Sequence, residues 1–105
     1  MHQFDVYENP SKHTRKAYPL IVDIQCDVIS DLATRIVVPL GREAEFKSEK
    51  LSRLTPSIDY EGQVLLLLVP QIASIPTKIL GTPIGTLSHM RDEIVAALDF
   101  AFTGI

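Results

Sequence analysis

The chain has few residues of the kinds that carry catalysis or bind metals, and their spacing does not assemble a reactive site. The three histidines, His2, His13 and His89, form no i, i+4 pair of the type that binds zinc on a helix. The single cysteine, Cys26, has no second thiol with which to complete a metal cluster, and a lone cysteine beside apolar strands is usually a packing residue. We therefore expect no metal, no cofactor and no catalytic residue.

Two carboxylates on the predicted C-terminal helix could resemble a catalytic pair. Asp92 and Asp99 lie two turns apart on one face, but about 10 Å of helical rise separates them and solvent should keep both ionised. The sequence also lacks a Walker loop, a G-x-G-x-x-G fingerprint and a G-x-S-x-G nucleophile motif. These residues favour a protein that binds over one that catalyses.

A basic patch stands out in an acidic chain. Lys12, His13, Arg15 and Lys16 fall within five positions, whereas the whole chain has 10 Lys and Arg against 13 Asp and Glu, a formal net charge of −3. The overall charge disfavours nucleic acid as a partner. The patch is either a solvated loop or a site for an acidic partner, and the sequence leaves both open.

Length and composition indicate a single globular domain over residues 1–105. Of the 105 residues 46% are hydrophobic, which is enough for one core, yet no apolar run reaches the roughly 18 residues needed to cross a bilayer. The lone cysteine and the absence of a secretory signal indicate a cytoplasmic protein without membrane association.

Short segments rich in β-branched residues predict strands over 3–7, 20–24, 35–40, 57–60 and 64–69. The last two flank Glu61-Gly62-Gln63, which is typical of a hairpin. The apolar run from Val64 to Val69 predicts a strand that is buried on both faces at the centre of the core. Pro39 should lie at an edge or at a strand end.

One long helix is predicted from Thr86 or Ser88, either of which could be its N-cap, to about Phe102, with Gly104 just beyond it. At 100° per residue, one stripe faces the core: Leu87, Met90, Ile94, Ala97, Leu98 and Ala101. The opposite face points away from the globule: Asp92, Ala96, Asp99 and Thr103. Several short strands closed by one helix predict a mostly β (α+β) barrel or curled sheet.

Six segments, in order along nearly the entire chain, resemble the CcdB family of gyrase-poisoning toxins: Phe4–Tyr7, Val22–Asp27, Arg35–Leu40, Ala73–Pro76, Leu87–His89 and Phe102–Ile105. The resemblance implies an SH3-like barrel with a small additional sheet and one C-terminal helix. It also implies a homodimer and a type II toxin–antitoxin system. In such a system the toxin traps DNA gyrase on cleaved DNA, a CcdA-like antitoxin neutralises it, and the toxin as co-repressor meets operator DNA only through the antitoxin.

The family's surface for the gyrase A subunit is the end of the helix, the last three residues and the loop after the second long strand. Transferred to this sequence, it comprises Asp92, Asp99, Phe102, Thr103, Gly104, Ile105, Cys26, Val28 and Ile29. The best-known members end in Trp-Gly-Ile, with the indole on a gyrase arginine, whereas this chain has Thr103 and no tryptophan; other members also end in Thr-Gly-Ile. We expect the basic loop of Lys12, His13, Arg15 and Lys16 to hold the acidic antitoxin segment.

Two alternatives remain. The same type of barrel resembles the MazF-like toxins that cut messenger RNA, although an acidic helix face does not suit a groove for RNA. The other alternative is a chromosomal copy that folds and dimerises without poisoning gyrase, which the departure at Thr103 leaves open.

Overall fold

The computed structural model describes residues 2–27, 33–46 and 54–104, and within them it places one antiparallel sheet and one α-helix. Seven strands form the sheet: β1 (Asp5–Glu8), β2 (Leu20–Asp23), β3 (Thr34–Arg42), β4 (Ser57–Tyr60), β5 (Gln63–Leu67), β6 (Ala73–Pro76) and β7 (Gly85–Thr86). The helix, α1, spans Arg91–Thr103. The sheet curls into a half-barrel beside the helix, which confirms the predicted mostly β (α+β) class with one C-terminal helix.

The central strand of the sheet is β3, because the strand order is β4-β5-β3-β2-β1-β7. It pairs with β2 along one edge, and along the other edge it pairs first with β6 and then with β5. The predicted burial of the run 64–69 on both faces is confirmed for Leu65 to Val69, although β5 is not the central strand of the sheet. In β5 Val64 is exposed, and the strand is buried only from Leu65 onward, where Leu65 and Leu67 enter the main core and Leu66 packs with Phe46.

Pro39 lies inside β3 and not at a strand end, contrary to the expectation. It stands opposite Ile21 of β2, and its carbonyl accepts a hydrogen bond from the Leu68 N–H at 3.0 Å. The backbone N and O of one strand residue point to the same side of the strand. The nitrogen of Pro39, which has no N–H, therefore faces the gap between the end of β5 and the start of β6. No ladder hydrogen bond is lost there, which explains why a proline is tolerated in a central strand.

The hairpin between β4 and β5 confirms the predicted turn. Glu61 and Gly62 both have positive φ, 50° and 82°, as a two-residue type I′ turn requires. The Gly62 N–H donates to the Asp59 carboxylate at 3.2 Å. A side chain would not fit at Gly85 in β7, because a Cβ there would collide with the Tyr60 hydroxyl.

The two faces of the sheet carry different clusters, since alternate residues of a strand point to opposite sides. The helix side carries the main core, in which Val6, Val22 and Val38 pack with Leu87, Ile94 and Ala97 from the C-terminal region. The opposite side carries a smaller cluster: Tyr7, Ile21, Val37 and Leu80. The helix therefore covers one face, and the other face is only partly covered.

The helix begins later than predicted. Residues Ser88–Met90 form a 3-10 turn, and α1 starts at Arg91 with Met90 at the N-cap position and no side-chain cap. The Thr86 hydroxyl accepts the Ser88 N–H at 3.1 Å, so its capping bond serves the 3-10 turn. The predicted end is confirmed, because Gly104 adopts the left-handed conformation at φ 73° and its N–H donates to the Phe100 carbonyl at 2.9 Å.

The predicted faces of the helix are largely confirmed. Ile94 and Ala97 are buried, Leu98 is half-buried, and Ala101 is exposed, so the core stripe ends one turn early. The outward face is exposed at every predicted position: Asp92, Ala96, Asp99 and Thr103. No helix in the part of the chain that the structure describes has both the length and the hydrophobicity to cross a membrane.

Candidate partner-binding surfaces

The first candidate surface, the helix-end surface, consists of Asp92, Asp99, Phe102, Thr103 and Gly104. All five residues are exposed, and Phe102 is the most open large apolar side chain among the described residues at 70%. Four of them lie on α1 itself, and Gly104 caps it. The amphipathic pattern of the helix brings these residues together, because its apolar side is fixed against the core.

The electrostatics of the helix-end surface are negative. The first turn of α1 contains Asp92 and Glu93, Asp99 follows on the outward face, and the last turn contains no basic residue. The carbonyl end of the helix dipole therefore adds to the negative charge. The Thr103 hydroxyl donates to the Asp99 carbonyl at 2.6 Å. This surface suits a partner that presents cationic groups, such as arginine side chains.

The remaining residues of the predicted gyrase surface divide into two groups. Cys26 is exposed on the turn that follows β2. Val28, Ile29 and Ile105 lie outside the described residues. The assignment of these four residues to the same surface as the helix end stays a prediction.

The second candidate surface includes the basic loop, which Asn9 organises from within. The Asn9 side chain donates to the Thr14 hydroxyl and to the Tyr18 carbonyl, both at 2.8 Å, and accepts the Ser11 N–H at 2.9 Å. Asn9 is 7% exposed, so these bonds form where water competes little. Hydrogen bonds within the chain therefore hold the loop in one conformation.

The four cations of the loop do not have equal freedom. Lys12, His13 and Lys16 are exposed, whereas Arg15 is half-buried. The Arg15 Nε donates to the Asn9 carbonyl at 2.5 Å, and its guanidinium pairs with Glu8 at 3.1 Å. Arg15 therefore contributes to loop structure, and the other three basic residues remain exposed for a partner.

An apolar groove of about 450 Å³ lies beside the basic loop, and sequence reasoning missed it. Its floor comes from the partly covered face of the sheet, and its rim comes from the loop. Lining residues include Pro10, Thr14, Tyr18, Ile21, Val37, Pro39, Ile75 and Ile79. The only sequence signal was the alternation in β2, β3 and β6, which leaves one apolar side chain in two on that face. We call the basic loop and this groove together the groove surface.

Tyr7 lies close to the groove surface, packed with Ile21 and Val37 of its floor. Its side chain is fully buried, and its hydroxyl has no hydrogen-bond partner among the described residues. Burial, with smaller contributions from Asp5 and Asp23, raises the pKa of Tyr7 to about 12. The hydroxyl is therefore protonated throughout the physiological range.

The described residues thus form a curled antiparallel sheet with one C-terminal helix, an anionic helix end, and a basic loop beside an apolar groove. Among the residues that the structure describes, no cluster of His, Cys, Asp or Glu has the arrangement to hold a metal ion. The chain matches the family model described as CcdB protein over residues 3–104, nearly its whole length. It therefore belongs to the CcdB family, the gyrase-inhibiting toxins of toxin–antitoxin systems.

Proposed function

We propose that this protein is the toxin of a type II toxin–antitoxin system that binds the DNA gyrase A subunit and traps the complex of gyrase with cleaved DNA. It acts in the cytoplasm by binding and catalyses no reaction of its own. The observation that carries the proposal is the helix-end surface, where Phe102 is 70% exposed beside Asp99 and Thr103. Covering an aromatic ring this exposed removes apolar surface from water, and that contributes favourable free energy to the binding of a partner.

Charge supports the same assignment. The negative end of the α1 dipole and the carboxylates of Asp92 and Asp99 form an anionic face without a basic neighbour in the last turn. An enzyme that holds DNA presents cationic side chains, and a negative protein surface can occupy part of such a site. We also assign contacts with the gyrase A subunit to Gly104, Ile105, Cys26, Val28 and Ile29.

We also propose that the toxin acts as a homodimer. Several apolar side chains at the margin of the main core remain accessible to a partner. Ile36 is 38% exposed, and Ile24, Ile72 and Leu98 are only half-buried. A two-fold axis would cover such apolar side chains and bring two helix ends to the two-fold gyrase A subunits.

The groove surface is proposed as the site of a CcdA-like antitoxin. Lys12, His13 and Lys16 attract an acidic chain, and the apolar groove accepts its hydrophobic side chains. Arg15 supports the loop that carries these cations. With its antitoxin bound, the toxin co-represses the operon, and the antitoxin alone makes the contact with operator DNA.

The decisive experiment adds purified protein to gyrase, supercoiled plasmid and ATP, and scores double-stranded DNA cleavage. A parallel reaction holds the protein with labelled RNA and no gyrase. We expect cleaved plasmid and intact RNA. Cleaved RNA would indicate a MazF-like ribonuclease, and no cleavage in either reaction would indicate a folded copy without poisoning activity.

The Thr103→Trp variant is the matched comparison in the same assay. An indole at this exposed position gains a stack on a cationic side chain, so binding to a gyrase A fragment should tighten by about 1 kcal/mol. Weaker binding would show that the interface is shaped around the smaller threonine.

A further inference from the structure

A complete ion pair is buried where β2 ends. The side chains of Asp23 and Arg35 are both fully buried, and one carboxylate oxygen of Asp23 lies 2.6 Å from the Arg35 Nη2 and 2.7 Å from its Nε. The other carboxylate oxygen accepts the Gln25 N–H at 2.9 Å. One carboxylate therefore joins the start of β3 to the turn that follows β2.

Gln25 extends these contacts into the turn. It is 2% exposed, its side-chain oxygen accepts the Ile36 N–H at 3.1 Å, and its carbonyl lies 3.5 Å from the Arg35 Nη2. We call Asp23, Gln25 and Arg35 the turn network. Its polar groups bond to backbone on both sides of the turn.

A second set of bonds holds the turn from the N-terminal side. The Gln3 side chain donates to the Ile24 carbonyl at 3.1 Å, and the Gln3 N–H donates to the Asp27 carboxylate at 2.7 Å. Cys26 lies between the buried Gln25 and the anchored Asp27, and its own side chain is exposed. The chain is thus held before Cys26 through the Gln25 N–H and after it through the Asp27 carboxylate, while the Cys26 side chain faces solvent.

Stability alone does not account for this pair. Removing two charges from water costs about as much as their attraction returns, and apolar residues of similar volume often serve a core equally well. Burial raises the pKa of Asp23, against the opposing effects of the Gln25 N–H and the Arg35 guanidinium, so the buried carboxylate is costly to ionise. A role in specificity explains the pair better than a role in stability.

We infer that the residues of the turn network are positioning residues that hold Cys26 and Asp27 in one conformation for contact with the partner. Naming gyrase as that partner rests on the proposed function above; the positioning itself does not. If the turn samples several conformations, the affinity for the partner falls in proportion to the fraction of molecules whose turn has the binding conformation. The network keeps that fraction high.

The test replaces the pair together, as Asp23→Leu with Arg35→Met, so that neither charge is left unpaired in the core. Cys26 is the only cysteine of the chain, so a nitroxide attached there reports the motion of this turn alone. We expect a folded protein, a markedly more mobile spectrum at Cys26, and binding of the unlabelled variant to a gyrase A fragment that is weaker by about tenfold.

The control is Leu65→Ala, which destabilises the same core from β5, away from the turn. It should leave the Cys26 spectrum unchanged, since lower stability alone does not loosen the turn. If the double variant does not fold, Gln25→Met keeps the ion pair, removes the acceptor of the Ile36 N–H and should mobilise the label on its own.

An unchanged Cys26 spectrum in the double variant would overturn the inference. If the double variant does not fold, an unchanged spectrum in Gln25→Met would overturn it. An equally mobile spectrum in Leu65→Ala would overturn it too, because the effect would then be one of general stability. If the wild-type protein does not bind the gyrase fragment while the variant spectra change as expected, the proposed function fails and the positioning role stands.

Discussion

The helix-end surface and the groove surface differ in shape, charge and origin. The helix-end surface is convex and anionic, and it is built from one continuous segment in which Asp99, Phe102 and Thr103 lie within two turns. The groove surface is concave, apolar at its floor and cationic at its rim, and it combines residues as distant as Pro10 and Ile79. One small domain thus offers two surfaces of opposite charge.

The difference suggests how one chain can serve two partners with opposite outcomes. A cationic partner is attracted to the helix end, and an acidic segment is attracted to the basic loop, so each surface repels the other's ligand. On this account, changes at the helix end should alter toxicity and changes in the loop should alter neutralisation. The predictions below separate the two surfaces from each other and from the core.

Removing Gly104 and Ile105 should have the largest effect. We expect growth inhibition by the expressed toxin to be abolished, while the free energy of unfolding falls by less than about 1 kcal/mol, the value of the single Gly104 N–H···Phe100 bond. Growth assays beside urea unfolding check both values. A truncated protein that unfolds early would show that the tail is structural.

Within the helix, buried and outward residues should differ sharply. Ile94→Ala should cost about 2 to 5 kcal/mol because Ile94 is fully buried, and the half-buried Leu98→Ala about 1 to 2 kcal/mol. Asp99→Ala on the exposed face should cost under about 0.5 kcal/mol. Equal losses in urea unfolding would contradict the assigned helix face.

We expect the free energy of unfolding to fall at alkaline pH because of the buried Tyr7 on the groove side of the sheet. Its pKa is about 12 in the folded protein against an ordinary value of 10, so between these pH values the unfolded chain releases a proton that the folded protein keeps. Stability is therefore complete below pH 10 and falls as the pH rises to 12, by up to about 3 kcal/mol.

Tyr7→Phe should reduce this alkaline loss and, by removing a buried hydroxyl without a described partner, raise stability at pH 7 by about 1 kcal/mol. Urea unfolding at pH 7 and at pH 11 measures both effects. A destabilised variant at pH 7 would show that the hydroxyl makes a bond that the described residues do not supply.

The basic loop should show the smallest and most selective effect. Replacing Lys12 and Lys16 with serine should slow association with an acidic antitoxin peptide by about two- to fivefold at low salt, without changing gyrase poisoning. The control is Lys78→Ser, which removes one positive charge at an exposed position outside the basic loop. Arg15→Ser should instead lower stability, because it removes the bonds to Asn9 and Glu8. Unchanged association rates would identify the loop as merely solvated.

The two surfaces were also unequally accessible to prediction from the sequence. The outward helix face followed from periodicity alone, because Asp92, Asp99 and Thr103 are close in sequence and share one regular element. The groove did not, since Ile21, Val37 and Ile75 meet only through the pairing of β2, β3 and β6. Periodicity within one strand gives no register between strands, so it does not indicate which strand becomes the central one of the sheet.

The turn network shows the same limit. Asp23 and Arg35 are twelve positions apart, and they meet because Asp23 pairs with Val37, two residues beyond Arg35 on the same face of β3. In the sequence each looks like an ordinary charged residue near a strand end. Their complete burial is a property of the assembled sheet, and so are the hydrogen bonds that hold the turn around Cys26.

Backbone hydrogen exchange measures directly whether the two surfaces bind different partners. The protein is exchanged alone, with a gyrase A fragment, and with an acidic antitoxin peptide. We predict that the gyrase fragment slows exchange at the end of α1 and leaves residues 9–18 unchanged, and that the peptide has the reverse effect. Protection of residues 9–18 by the gyrase fragment, with no change over residues 99–104, would contradict the account.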